Sequence, residues 1–200
     1  MTEERLRRDQ LDPETTKDNH RRASIATYSG VEFFSLDPRV EDIRLFDIAH
    51  ALSMKCRYTG QCHQFYSVAQ HSVFVSEILE ATGATPEEAF IGLMHDGQEA
   101  YLPDVASPIK GHIPGYREIE DRVEKVVAEA FDFQYPHPKV VKIADAEAFK
   151  HEYPQIMPKL TWWKGDPPTH EWPVLIEWSP MVGREKFLQR FRILNCARQL

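Results

Sequence analysis

No stretch of the 200 residues reaches the roughly 18 consecutive apolar side chains of a membrane-spanning helix, so the sequence predicts no span. The opening "MTEERLRRDQLDPETTKDNHRR" carries charge but no apolar block, which argues against a secretory signal. Cysteine is scarce. Cys56, Cys62 and Cys196 form an odd set without a CxxC, so they read as structural thiols in a reducing cytoplasm, not as a zinc cluster. Basic charge is also short: 24 Lys and Arg against 31 Asp and Glu leave a net charge of −7, which disfavours a polynucleotide partner. Internal repeats and low-complexity tracts are absent.

What remains is an ordinary globular composition, 42% hydrophobic and 28% charged, on a chain long enough to enclose a site. Residues 1–22 offer only Met1, Leu6 and Leu11 for burial, so a disordered or loosely docked tail is expected, followed by a single domain over 23–200. "SIATYSGVEFFSLDP" reads as a short hairpin turning at Ser29-Gly30. Helical spacing then recurs. Leu45, Ile48, Ala49, Leu52 and Cys56 define one helix with Gly60 as a stop, and Val68, His71, Val75, Ile78 and Leu79 define a second ending at Gly83. Thr85-Pro86-Glu87-Glu88 is a capping box, and the helix it opens is expected to run to Tyr101 or Leu102, before Pro103. "LPDVASPIKGHIPG" holds three prolines and two glycines and reads as a loop. Amphipathic patterns follow through Tyr116, Ile119, Val123, Val126, Val127 and Ala130, and through Val141, Ala144, Asp145 and Ala148. Ser179-Pro180 opens a last helix carrying Phe187, Leu188, Phe191 and Leu194. The fold class is therefore all-α with a small N-terminal β-hairpin.

Three of these helices carry polar groups where apolar ones belong. His71 lies on the apolar stripe of its helix, Asp145 on that of another, and His95-Asp96 inside a third. Buried charge without a partner is costly, so helices sharing one core must satisfy these groups among themselves. Two arrangements do so: a structural ion-pair network, or a divalent cation held by imidazoles and carboxylates. Glu99, four residues after His95, is a fifth ligand or an acid or base beside such a cation. As a mere solvated glutamate in a last turn it would oppose the helix dipole.

An isolated His, then an adjacent His-Asp pair, then a lone Asp on successive helices resembles the HD-domain metal-dependent phosphohydrolases. "CRYTG…YSVAQHSVFVSE", "GLMHDGQEAYLPDVASPIKG" and "VKIADAEAF" are similar to the nucleotidase branch, which includes bacterial 5′-deoxynucleotidases and phage deoxynucleoside triphosphohydrolases. The likeness covers about residues 25 to 150. It implies an HD-type helical bundle with His71, His95, Asp96 and Asp145 as ligands of one divalent cation (Mn, Co, Zn, Fe, Ni or Mg). It implies catalytic roles for Glu99 and Asp104, and substrate contacts for Arg57, Tyr58 and Lys110. Tyr58 stands where the 5′-deoxynucleotidases have Trp. Gly60 stands where some adenine-specific phage relatives carry a bulky aliphatic, which leaves the base less restricted. Relatives with two metals use further histidines between the pair and the last Asp. Only His112 and His137 occur there, both in proline-flanked loops, so one metal is expected. His50 and His63 match no ligand position, and Trp162, Trp163, Trp172 and Trp178 are expected to cover the core or an oligomer contact.

The activity this resemblance implies is hydrolysis of (deoxy)nucleotides by metal-activated water. A silent nucleotide sensor, a di-iron oxygenase and a cyclic-nucleotide phosphodiesterase are the alternatives. A small-molecule nucleotide is the expected partner, with no membrane, in a cytoplasmic homodimer or higher homo-oligomer.

Overall fold

The computed structural model describes residues 24–103, 105–159 and 165–200. The expected N-terminal tail, Asp104, Trp162 and Trp163 lie outside the described residues. Two short antiparallel strands, β1 (Ser24–Ala26) and β2 (Glu32–Phe34), pair Ser24 with Phe34 and Ala26 with Glu32. Between them Gly30 adopts φ +84°, a left-handed turn conformation that favours glycine. Seven helices follow: α1 (Leu45–Met54), α2 (Val68–Ala81), α3 (Pro86–Met94), the single turn α4 (Ser107–Lys110), α5 (Tyr116–Ala130), α6 (Lys139–Ile156) and α7 (Pro180–Ala197). The all-α fold with a small hairpin is thus observed. None of the described helices is long and apolar enough to cross a membrane.

The hairpin is fixed to the bundle by a buried carboxylate. Asp47 of α1 accepts from the Ser29 backbone N–H and hydroxyl, both at 2.7 Å. Phe33 is fully buried and stacks on Tyr101 with ring centroids 4.1 Å apart.

At the centre lies α2, which packs against α1, α3, α6 and α7. Its first nine residues, Val68 to Ser76, are buried. Ser67 caps it by accepting from the Gln70 N–H. The hydroxyls of Ser72 and Ser76 donate to the carbonyls of Val68 and Val73, so polar groups enter the core already satisfied. Helix α3 begins in the capping box read from the sequence, with Thr85 and Glu88 exchanging backbone bonds. Ser179 caps α7 by accepting from the Val182 N–H.

Gly92 lets α3 approach α2 closely: a Cβ there would lie 2.3 Å from Leu79 Cδ1. That approach brings the end of α3 beside the first turn of α2. Gly92→Val is therefore expected to destabilise the fold by about 2 kcal/mol through overpacking, lowering the urea midpoint. It should also loosen the site described below, because the Gly92 carbonyl orients His95.

Two elements differ from expectation. α3 ends at Met94 instead of running to Tyr101; Asp96 leaves the helical region (φ −103°, ψ 16°) and a 3₁₀ turn, Gly97–Ala100, follows. Gly97 has poor helix propensity, and a Cβ there would come 3.1 Å from Val127 Cγ1, so the chain bends where α5 crowds it. Inside the proline-rich loop, Ser107–Lys110 closes one helical turn, with proline in its first turn where the missing N–H is harmless.

Candidate metal centre

His71 sits in the first turn of α2, fully buried; His95 is the residue after α3; Asp145 projects from the second turn of α6. Their ligand atoms all fall within 4.8 Å of one another. His71 Nε2 is 3.1 Å from Asp145 Oδ1 and 3.8 Å from Asp96 Oδ2. His95 Nε2 is 3.3 Å from Asp96 Oδ2 and 4.0 Å from Asp145 Oδ1. The four residues expected as ligands therefore converge. Asp96 faces both imidazoles but lies outside the tightest group of three.

The opposite ring nitrogens decide what this group needs. His71 Nδ1 is 2.7 Å from Glu152 Oε1, and His95 Nδ1 is 2.7 Å from the Gly92 carbonyl oxygen. Those oxygens only accept, so each Nδ1 carries the proton. Both Nε2 atoms are then lone pairs in the neutral rings, aimed at carboxylate oxygens, and neither makes a hydrogen bond of good geometry. Two charge states satisfy such a cluster: a proton on each Nε2, or a cation among them. Burial opposes the first, yet the charges of Asp96 and Asp145 push His95 up to about 9. The same surroundings hold Asp96 well below the usual carboxylate range. Ligands on a first-row cation at about 2.0–2.2 Å sit about 3 Å from one another, close to the spacings found. His71, His95 and Asp145 can hold a metal ion.

Glu152 supports the cluster from behind. Fully buried on α6, it accepts from Tyr66 Oη at 2.8 Å and Tyr58 Oη at 3.2 Å besides His71, and its Oε2 lies 3.5 Å from Arg57 Nε. Burial alone would raise its pKa, but His71 and Arg57 hold it at about 2. It fixes the His71 tautomer, as a carboxylate behind a ligating histidine does. Arg57 also reaches Asp96, 3.7 Å from its Oδ2.

A cleft of about 490 Å³ opens over these groups. Its polar side is Asp96, Asp145, Arg57, Glu99 and Lys110. Lys110 pairs with Glu120 at 2.7 Å and lies 3.5 Å from Glu99. Its other side is aromatic: Tyr58, Phe149 and Tyr153 contact one another with centroids 5.2–6.3 Å apart. Each described residue expected at the site thus lines or borders this cleft. Glu99 is buried, but on a 3₁₀ turn instead of an α-helix.

Among the described residues, the other histidines stand apart from the group of three. His137 lies 3.2 Å from Glu124, and burial, with His95 nearby, lowers it to about 4, so it is neutral. His50 stacks on Tyr28 at 3.8 Å. Trp172 and Trp178 pack on the core, as expected. Glu152, Phe149 and Tyr153 were not anticipated. The signal was present: from Asp145 they continue one face of α6 at i+4, i+7 and i+8.

Fold and site together define a helical protein whose two buried histidines meet partly exposed aspartates, a cluster fit for a metal at the floor of a half-aromatic cleft. No family model matches the chain. It is 34% identical over 145 residues to the uncharacterized protein RCAP_rcc00048 of Rhodobacter capsulatus, covering 68% of this chain and 74% of that protein. It is also 38% identical over 122 residues to the uncharacterized protein YfdR of Escherichia coli, across 60% of this chain and 65% of the relative. The match thus spans just under two thirds of YfdR. The chain belongs to the family of RCAP_rcc00048.

Proposed function

We propose that the chain is a metal-dependent phosphohydrolase of HD-domain type acting on (deoxy)nucleotides. One observation carries this reading: two buried imidazole Nε2 atoms without hydrogen-bond partners meet carboxylates at the floor of a cleft that also holds Arg57 and Lys110. The cleft is of mononucleotide size, and the aromatic faces of Tyr58, Phe149 and Tyr153 suit a base or sugar beside a phosphate-binding floor.

His71, His95, Asp96 and Asp145 would hold a divalent cation, which would supply Lewis acidity, lowering the pKa of water and neutralising phosphate charge. Arg57, held by Glu152, and Lys110 offset the anionic substrate. Water forms the new bond to phosphorus as the bond to the leaving oxygen breaks. Glu99, with a carboxylate in the cleft, takes the water proton, and Asp104 hands a proton to the leaving oxygen. The protein acts in the cytoplasm as a homodimer or higher homo-oligomer.

The test is a panel of deoxynucleoside mono- and triphosphates with manganese, cobalt, zinc and magnesium, reading phosphate or polyphosphate release. Release that depends on added metal is expected. Nucleotide binding with no release under any metal would replace this reading with a sensor. Within the same assay Lys110→Ala is expected to raise KM about tenfold with kcat less affected, the loss of one charged contact to bound phosphate.

A further inference from the structure

Cys56 and Cys62 flank the turn that carries Arg57 and Tyr58 into the cleft. Their Sγ atoms are 3.3 Å apart, and both side chains are half-buried. The intervening chain is unusual: Tyr58, Thr59 and Gly60 take φ of 55°, 52° and 74°, three consecutive residues in the left-handed region, two of them with side chains that disfavour it. The flanks hold this turn. Arg57 N–H donates to the Tyr66 carbonyl at 2.8 Å, Cys56 bridges Ser67, and His63 N–H donates to the Ile156 carbonyl at 2.7 Å. Inside it, Gly60 and Gln61 donate back to the carbonyls of Arg57 and Tyr58.

We propose that Cys56 and Cys62 are a dithiol modification site, oxidised reversibly to an internal disulfide that clamps the base of the Arg57–Tyr58 turn. A disulfide needs the sulfurs at about 2.05 Å, an approach of about 1.3 Å that small side-chain rotations can supply. The oxidant is a low-molecular-weight disulfide. One protein thiolate attacks it, forming a mixed disulfide and expelling one small thiolate. The second protein thiolate then attacks the protein-bound sulfur and expels the other. Two S–H bonds of the protein are lost, one S–S bond forms, the small disulfide is reduced to two thiols, and the two protons pass to them. Burial, with the Cys56 thiol beside it, pushes Cys62 up to about 11, so closure runs faster as the pH rises. Cys196 is exposed at the end of α7 and takes no part.

The inference does not depend on what the cleft hydrolyses, and its test reads no activity. The full chain is equilibrated with oxidised glutathione, free thiols are alkylated, and peptides are mapped. A Cys56–Cys62 linkage two hydrogens lighter than the dithiol, with Cys196 still alkylated, is expected. It should be reversed by reductant, absent in Cys62→Ser, and retained in Cys196→Ser. Because the link closes a native turn, Tm should rise by roughly 5 °C on oxidation. Alkylation of both Cys56 and Cys62 at every redox ratio would overturn the proposal, as would oxidation that links copies through Cys196. A linkage that lowers Tm would overturn it too, since the turn would then have to be broken to form it.

Discussion

Replacing His95 by alanine should abolish stoichiometric divalent-metal binding and reduce turnover by on the order of 10³-fold or more, with helical circular dichroism preserved. The magnitude follows from the several kcal/mol of charge stabilisation a bound cation gives a phosphoryl-transfer transition state. The preserved fold follows from position: His95 follows the last residue of α3, and its Nδ1 bond runs to its own helix carbonyl, so its loss leaves the packing of α2 on α3 in place. Metal content by mass spectrometry and phosphate release measure the two halves separately. Undiminished hydrolysis by a metal-free His95→Ala chain would remove the proposed function.

The same variant carries a signature in the metal-free protein. His95 is held at about 9 in the fold, burial being outweighed by Asp96 and Asp145, against an ordinary value of 6.5. A raised pKa contributes stability that is fully present below 6.5 and is lost as pH rises through 9. Metal-free wild-type protein should therefore weaken between those values, and His95→Ala should weaken less. Urea unfolding with chelator across this range reports the difference.

How much of this was readable from the sequence depends on the range of the forces involved. The helix starts at Thr85 and Ser179 were legible because a cap is a contact between residues three apart. The convergence of His71, His95, Asp96 and Asp145 was legible as an anomaly, charge on apolar stripes that had to be answered inside one core. The break after His95 was not: one glycine is tolerated in many helices, and here the deciding contact is Val127, thirty residues away. Tyr58 could be flagged as an aromatic, but the left-handed turn that points it toward the cleft is imposed by flanks bonded to Tyr66 and Ile156. Glu152 was legible only as a position on the Asp145 face of α6, and its role was hidden for the same reason. In sequence it is one of several charged residues near a helix end. Only the arrival of Tyr58, Tyr66, Arg57 and His71 from segments eighty or more residues away makes it a buried hub.

Glu152 should consequently be the most sensitive position outside the ligands. Glu152→Ala leaves the buried His71 Nδ1–H without its acceptor and takes one of two carboxylate partners from Arg57, and loss of a buried partner of this kind destabilises by about 3–5 kcal/mol. Glu152→Gln keeps the volume and an acceptor for His71 but removes the charge. It is expected to retain the fold while lowering metal affinity about 10–100-fold, the usual effect of altering the group behind a ligating histidine. Acid unfolding separates charge from packing. Glu152 ordinarily titrates near 4.5; despite burial, His71 and Arg57 hold it at about 2 in the fold. A depressed carboxylate contributes stability that is present above 4.5 and is lost as pH falls through 2, about 3 kcal/mol for a shift of this size. The wild-type chain should lose that increment over this window in chelator, while Glu152→Gln, with nothing to titrate there, should show a flatter curve. Parallel acid limbs for the two proteins would mean that Glu152 does not hold Arg57 and His71 by its charge, and the electrostatic support proposed for the metal centre would fall with it.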